Sequence, residues 1–182
     1  MPIENKGNED FDDSPVSIPE DYYWGELNKV NFYENSENKV RVAITFDVEY
    51  DGETYEVPGF MNALFSISSD DEGMSSKMGN WFKKINKAEA LEKSLADALD
   101  SSIESLEDEE KIEEFRNTVT ALLAKEITSG NIKYYVDDIN SEEAECLKTA
   151  INAVLAGRKV RIQVETVNGS SLISKFADVK EK

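Results

Sequence analysis

The sequence predicts an α+β protein, in which a five-stranded β-barrel has a helical insertion between its third strand and its last two strands. Three observations support this fold class. Residues 39–50, KVRVAITFDVEY, alternate apolar and polar positions over the length of a long half-buried strand. Residues 86–155 contain apolar residues at helical spacing, and residues 160–179 return to strand periodicity. Two strand groups that cannot bury their faces alone are expected to close on each other.

Residues 1–21 are expected to form a disordered acidic tail. They show no hydrophobic periodicity, and they contain seven acidic residues and three prolines. Within them, Asp10, Phe11, Asp12 and Asp13 form an acidic-aromatic run that resembles the tips by which single-stranded DNA-binding proteins recruit partners. A solubilising tail is the alternative interpretation.

The folded domain is expected to span residues 22–182 and to begin with three strands. Residues 22–33 predict the first strand, with Gly25 as a bulge or bend. The second strand, residues 39–50, directs one parity to the core, and Asp51-Gly52 then predicts a tight hairpin. Pro58-Gly59 is expected to interrupt the third strand.

A helical block follows. Residues 77–85 predict a short helix, and two apolar stripes starting at Leu91 and Ile112 predict two longer ones. Residues 131–139 are expected to contain a short strand, and Ser141 is a predicted N-cap of a further helix that ends at Gly157. Residues 86–140 are interpreted as the insertion. Asn168-Gly169 predicts the turn of a closing hairpin.

The charge and the residue types exclude several classes of function. The chain has 38 acidic and 20 basic residues and no histidine, which gives a net charge of −18. Lack of histidine excludes Ser-His and Cys-His nucleophiles and the commonest metal ligand. No other catalytic constellation is present, so we expect a non-enzymatic protein without a metal or cofactor. The net charge is −10 over residues 86–150 but +3 over residues 151–182, so any nucleic-acid surface must be local.

The cysteine count and the hydropathy indicate the cellular compartment. The single cysteine, Cys146, excludes an internal disulfide and suits a reducing compartment. No apolar run reaches the length of a membrane span, and the N-terminus lacks the apolar core of a signal peptide. We therefore expect a cytoplasmic protein that does not contact a membrane.

Rings and cations cluster at three places that could bind a single strand, because bases stack on rings and cations meet phosphates. The clusters are Trp81, Phe82, Lys83 and Lys84; Arg158, Lys159, Arg161 and Lys175, with Arg41 on the same side; and the first-strand rings Trp24 and Tyr33. Each has an alternative. Trp81 and Phe82 could pack under the barrel, the cations could be an ordinary solvated face, and the first-strand rings could pack against the helical block.

The layout resembles the small OB-fold single-stranded DNA-binding proteins of phages, archaeal viruses and plasmids. The matching segments cover about half of the chain and are Gly25, residues 39–50, residues 75–82, residues 157–164 and Val179-Lys180. The resemblance implies an OB-like barrel that binds single-stranded DNA in viral or plasmid replication or recombination. It also implies replication proteins as partners of the acidic tail. The helical block would either shield one side of the barrel or mediate the contacts of a homo-oligomer.

This interpretation requires Arg41, Arg161 and Trp81 to share one face, away from the acidic residues. Two other functions stay open. The acidic surface could bind a partner protein, as in a replication or virion accessory factor, or it could mimic DNA in the cationic groove of another protein.

Overall fold

The computed structural model describes residues 17–66, 76–124 and 133–177. Within these ranges the chain forms seven strands and four helices. In chain order they are β1 (Asp21–Glu34), β2 (Val40–Tyr50), β3 (Glu53–Asn62), β4 (Leu64–Ser66), α1 (Lys77–Lys84), α2 (Ala88–Ile103), α3 (Glu109–Leu123), β5 (Lys133–Tyr135), α4 (Glu142–Leu155), β6 (Lys159–Val167) and β7 (Ser170–Phe176). The predicted α+β class is confirmed.

The main sheet is antiparallel and has the strand order β3-β2-β1-β6-β7, and β4 pairs with β5 in a second small sheet. The long strand β1 is central because it pairs with β2 along most of its length and with β6 through its first six residues. The alternating pattern of β2 buries Val42, Ile44, Phe46 and Val48 completely. These side chains form the centre of the core.

Both predicted hairpin turns are confirmed. Asp51 and Gly52 have φ values of 54° and 83°, and Asn168 and Gly169 have φ values of 52° and 82°. Two consecutive positive φ angles are the requirement of a type I′ turn, which Asx-Gly pairs meet at low cost.

Two predictions about strand irregularities are wrong. The register shift in β1 lies between Leu27 and Lys29, and Gly25 is instead a position of close packing. A Cβ at Gly25 would lie 3.1 Å from Cβ of Phe46 and 3.2 Å from Cδ1 of Ile162. Pro58 does not interrupt β3 but pairs with Thr45. The missing N–H is tolerated because β3 is an edge strand.

The two edges of the sheet approach each other. A Cβ at Gly59 of β3 would lie 3.2 Å from Cβ of Ile173 in β7. No hydrogen-bonded ladder joins β3 to β7 in the part of the chain that the structure describes. The five-stranded antiparallel sheet is therefore present, and a closed barrel is not detected.

The helices between β4 and β6 pack both on one another and on the sheet. Helix α2 contacts both α3 and α4, and α4 also packs against β1. Ser141 caps α4 as predicted, because its Oγ accepts a hydrogen bond of 3.2 Å from the N–H of Ala144. Lys111 of α3 forms an ion pair with Glu143 of α4. None of the four helices is long and apolar enough to cross a membrane.

The ordered domain begins before the predicted boundary. Ile18 is 2% exposed and belongs to the core. Its N–H donates a hydrogen bond of 2.8 Å to Oγ of Ser171, and the Tyr23 hydroxyl donates one of 2.6 Å to the carbonyl of Pro19. Assigning residues 17–21 to a tail was therefore wrong. The predicted partner motif, residues 10–13, lies outside the described residues.

Candidate nucleic-acid interface

A groove of about 230 Å³ lies where the first residues of β6 meet the C-terminal ends of α1 and α4. It brings together five cationic side chains and one exposed ring: Lys84, Lys87, Arg158, Lys159, Arg161 and Trp24. Among the described residues, no aspartate or glutamate lines it. In a chain with a net charge of −18, this is a local concentration of positive charge.

Two helix ends position most of the cations. Helix α1 ends at Lys84, and its side chains Met78 and Phe82 are fully buried, which anchors the helix to the core. Helix α4 ends at Leu155, which is also fully buried, and Gly157 then takes a φ of 73°. A left-handed residue after a helix turns the chain sharply. Lys84 lies in the last turn of α1, near the negative end of that helix dipole, which is a favourable placement.

Arg161 lies between two aromatic rings on the outer face of the sheet. Trp24 and Arg161 are register partners on β1 and β6. The guanidinium carbon lies 5.3 Å from the ring centroid of Tyr22 and 5.8 Å from that of Trp24, which places it in cation–π range of both. Trp24 remains 47% exposed, so part of its ring is available for a ligand.

The cations of the groove also have partners within the protein. Nζ of Lys159 lies 4.0 Å from Oε1 of Glu26, and both side chains are largely exposed. Such a pair contributes little to stability. Lys84 and Arg161 likewise interact with other groups. A bound phosphate would therefore join or replace existing partners.

The groove unites five of the residues that the sequence suggested for nucleic-acid binding: Trp24, Lys84, Arg158, Lys159 and Arg161. Lys87 completes the set, and sequence reasoning missed it. Its signal was present, because Lys87 follows Lys83-Lys84 within four positions and lies in the short connection between α1 and α2.

Trp81 and Phe82 are not part of this interface. They are 3% and 0% exposed, and their ring centroids lie 4.6 Å and 5.6 Å from that of Phe176. A ring enclosed by other side chains has no free face for a base. The expectation that they stack bases was therefore wrong, and the alternative, that they pack the helix under the sheet, is what the structure shows.

Arg41 and Tyr33 lie at the opposite end of β1. They are register partners on β2 and β1, and Arg41 Nη1 donates a hydrogen bond of 3.3 Å to Oδ1 of Asn62. Tyr33 lies nine positions after Trp24 along β1, or about 30 Å of strand. The predicted single strip that joins Arg41 to Arg161 is therefore wrong, because β1 places the two cations at different ends of the sheet.

Two further predicted cations lie outside the groove lining. Lys175 is the register partner of Gln163, so it belongs to the same outer face as Arg161, one row away. Lys83 lies in the last turn of α1 beside Lys84, and it too has an interaction partner.

Groups with potential for other chemistry do not form a site. The Cys146 side chain is buried, and burial raises the pKa of its thiol, although a hydrogen bond with Ser102 acts in the opposite direction. This environment is the reverse of one that activates a nucleophile. In residues 17–66, 76–124 and 133–177, no group of three or more acidic or cysteine side chains could hold a metal ion.

Comparison with protein-family models, curated proteins and solved structures finds no match to this chain. The interface is therefore interpreted from its own residues.

Proposed function

We propose that this protein binds single-stranded DNA without sequence preference, and that it does so through the groove between α1, α4 and β6. The observation that carries the proposal is the meeting of five cations and the exposed Trp24 in one groove, with no carboxylate among its described lining residues. DNA replication or recombination, the setting that the resemblance implies, belongs to the same proposal.

Each component of the groove has a role in such binding. The cations Lys84, Lys87 and Arg158 would contact phosphates, which supplies affinity that does not depend on sequence. The exposed face of Trp24 would stack on a base, and every base offers a π-face for this contact. Arg161, held against the Trp24 and Tyr22 rings, could contact a phosphate without losing its orientation.

We also propose that the sheet is an OB-like barrel. The strand order β3-β2-β1-β6-β7 supports this, as does the approach of Gly59 in β3 to Ile173 in β7. The position of α1 supports it too, because Trp81 and Phe82 pack against Phe176 beneath the sheet. OB folds are known as binders of oligonucleotides.

The proposal can be tested by fluorescence anisotropy with a labelled oligo-dT over a range of salt concentrations. If all five cations contact phosphates, the slope of log K against log [salt] should be about −3.5. Arg161→Gln should reduce the size of that slope by about 0.7 and weaken binding. Arg41→Gln is the matched control, since it removes the same charge from β2 beside the far end of β1 and should leave both values unchanged.

Tryptophan fluorescence gives an independent measurement. Trp24 and Trp81 are the only two tryptophans, and Trp81 is buried. In a Trp81→Phe variant, oligo-dT should quench the remaining Trp24 emission by stacking. The absence of salt-dependent binding would overturn the proposal, and so would equal effects of the Arg41 and Arg161 substitutions.

A second candidate function is recognition of a basic protein partner. It is favoured by the outer side of α3, where four acidic side chains are exposed and the terminal Leu123 is 54% exposed. The acidic residues are Glu109, Glu110, Glu113 and Glu114. Binding of a labelled lysine-rich peptide that is lost when these four are changed to glutamine, together with no oligo-dT binding, would favour this function. The same outcome would be expected of a DNA mimic.

A further inference from the structure

At the end that carries Trp24, the outer face of the main sheet divides into two halves of opposite character. On β1, β6 and β7 it presents Trp24 beside Arg161, and in the next row Tyr22, Gln163 and Lys175 in register. On β2 and β3 the corresponding outward positions include Asp47, Glu49 and Glu56. The boundary runs along β1, where Glu26 lies between Lys159 and Asp47.

The β1-β6-β7 half continues directly from the groove. Lys159, Arg161 and Gln163 are successive outward positions of β6, so they cover about 14 Å of strand. The Gln163 side chain is held in place, because its Oε1 accepts a hydrogen bond of 3.0 Å from Ser174 Oγ. Its Nε2 lies 3.5 Å from the Tyr22 hydroxyl. This row therefore offers a ring, an amide and the Lys175 cation at positions fixed by the sheet.

At this end of the sheet, the β2-β3 half is unsuitable for a polyanion. Asp47 is the register partner of both Glu26 on β1 and Glu56 on β3, which places three carboxylates in one row across the sheet. One of them, Glu56, forms an ion pair with Lys29, whose Nζ lies 3.6 Å from Oε1 of Glu56. A phosphate placed over this row would meet like charges. OB folds ordinarily bind oligonucleotides on the face of their second and third strands, which in this protein is the acidic half.

We propose that a bound single strand leaves the groove over Trp24, Arg161 and Tyr22 toward Lys175, and does not cross the β2-β3 half. This path is called the β1-β6-β7 track, and it rests on the proposed function of the groove. Its ligand class is an unpaired strand longer than the groove itself, since stacking on Tyr22 requires an exposed base. We expect affinity to level off at about four nucleotides, the lower end of the site sizes of OB folds.

The test is the affinity of a series of dT oligonucleotides of one, two, four and eight residues. Tyr22→Ala should weaken binding of the four- and eight-residue oligonucleotides about tenfold, within the range for loss of one stacked base. It should weaken binding of the one- and two-residue oligonucleotides much less, because they fit within the groove and depend on Tyr22 only through its contact with Arg161. Lys175→Gln should reduce the salt slope by about 0.7 for the longer oligonucleotides alone. This variant keeps the proposal testable if Tyr22→Ala lowers the melting temperature.

Thr54→Ala and Glu49→Gln, on the other half of the sheet, are matched controls, and neither should weaken binding. If no oligonucleotide of any length binds, the proposed function itself fails. If the longer oligonucleotides bind and Arg158→Gln weakens them, but Tyr22→Ala and Lys175→Gln do not, then only the track is overturned. Loss of binding in Thr54→Ala would place the strand on the β2-β3 half and would also overturn the track.

Discussion

Replacement of Glu92 by glutamine should stabilise this protein at neutral pH and remove part of the pH dependence of its stability. Glu92 lies on α2 between the core residues Leu91 and Leu95 and is only 5% exposed. Its Oε2 has no hydrogen-bond partner among the described residues. Burial, and to a smaller extent the nearby Glu89 charge, raise the pKa of the Glu92 carboxyl to about 7.

The sign of the effect follows from proton linkage. In the unfolded chain the Glu92 carboxyl has its ordinary pKa of 4.5, whereas in the folded protein the pKa is about 7. Between these two pH values the folded state binds more protons, so the free energy of unfolding falls as the pH rises. The contribution is fully present below pH 4.5 and is lost as the pH passes 7. The difference between the two pKa values corresponds to at most about 3 kcal/mol.

The assay is urea unfolding followed by far-UV circular dichroism at pH 5, 6, 7 and 8. Glu92→Gln should have nearly the stability of the parent protein at pH 5 and should exceed it by up to about 3 kcal/mol at pH 8. Glu113→Gln is the control for net charge, because Glu113 is an exposed residue of α3. A stability difference for Glu92→Gln that stays constant with pH, or that matches the control, would refute the reasoning.

Three further predictions concern stability and can be measured by the same urea unfolding. Gly79→Ala should destabilise the protein by about 1–3 kcal/mol, because the new Cβ would clash with the Ser66 carbonyl oxygen. Alanine is the better helix former, so a gain in stability would contradict this packing. Trp81→Ala should cost about 3–5 kcal/mol because the ring is buried in the core, and a cost below 1 kcal/mol would show that the ring is not enclosed. Ser141→Ala should cost about 1 kcal/mol through loss of the cap on the Ala144 N–H, with Ser141→Asp as a control that keeps the stability.

Most secondary structure could be predicted from local patterns, and the errors have physical reasons. The period-2 pattern of β2, the Asx-Gly turns and the Ser141 cap each depend on neighbouring residues alone, and the structure confirms them. Pro58 misled the prediction because its effect depends on whether a strand is at the edge of the sheet. The start of the domain was mispredicted because Ile18 is a single apolar residue in an acidic, proline-rich segment. Its hydrogen-bond partner, Ser171, is 153 positions away in the sequence.

The candidate site was predictable residue by residue but not as an arrangement. The cations after the predicted helix ends and the ring of Trp24 were visible in the sequence, but whether that ring faces outward was left open. The sequence did not distinguish Trp81 and Arg41 from the residues that do line the groove. For Trp81 the reason is that a ring beside lysines can face either the core or the solvent. The length of β1, which separates Trp24 from Tyr33, the register partner of Arg41, by about 30 Å of strand, has meaning for the site only once its two partners, β2 and β6, are known.

The sequence by itself determined which residues alternate in strands, that four segments are helical, and that positive charge is concentrated toward the C-terminus of a strongly acidic chain. These properties depend on interactions within a few residues or on composition. Only the tertiary structure decided that Lys84, Arg158 and Trp24 meet in one groove and that the acidic residues of β2 and β3 occupy the other half of the sheet. The reason is that strand pairing and helix packing bring together segments distant in sequence, and no local pattern encodes that proximity.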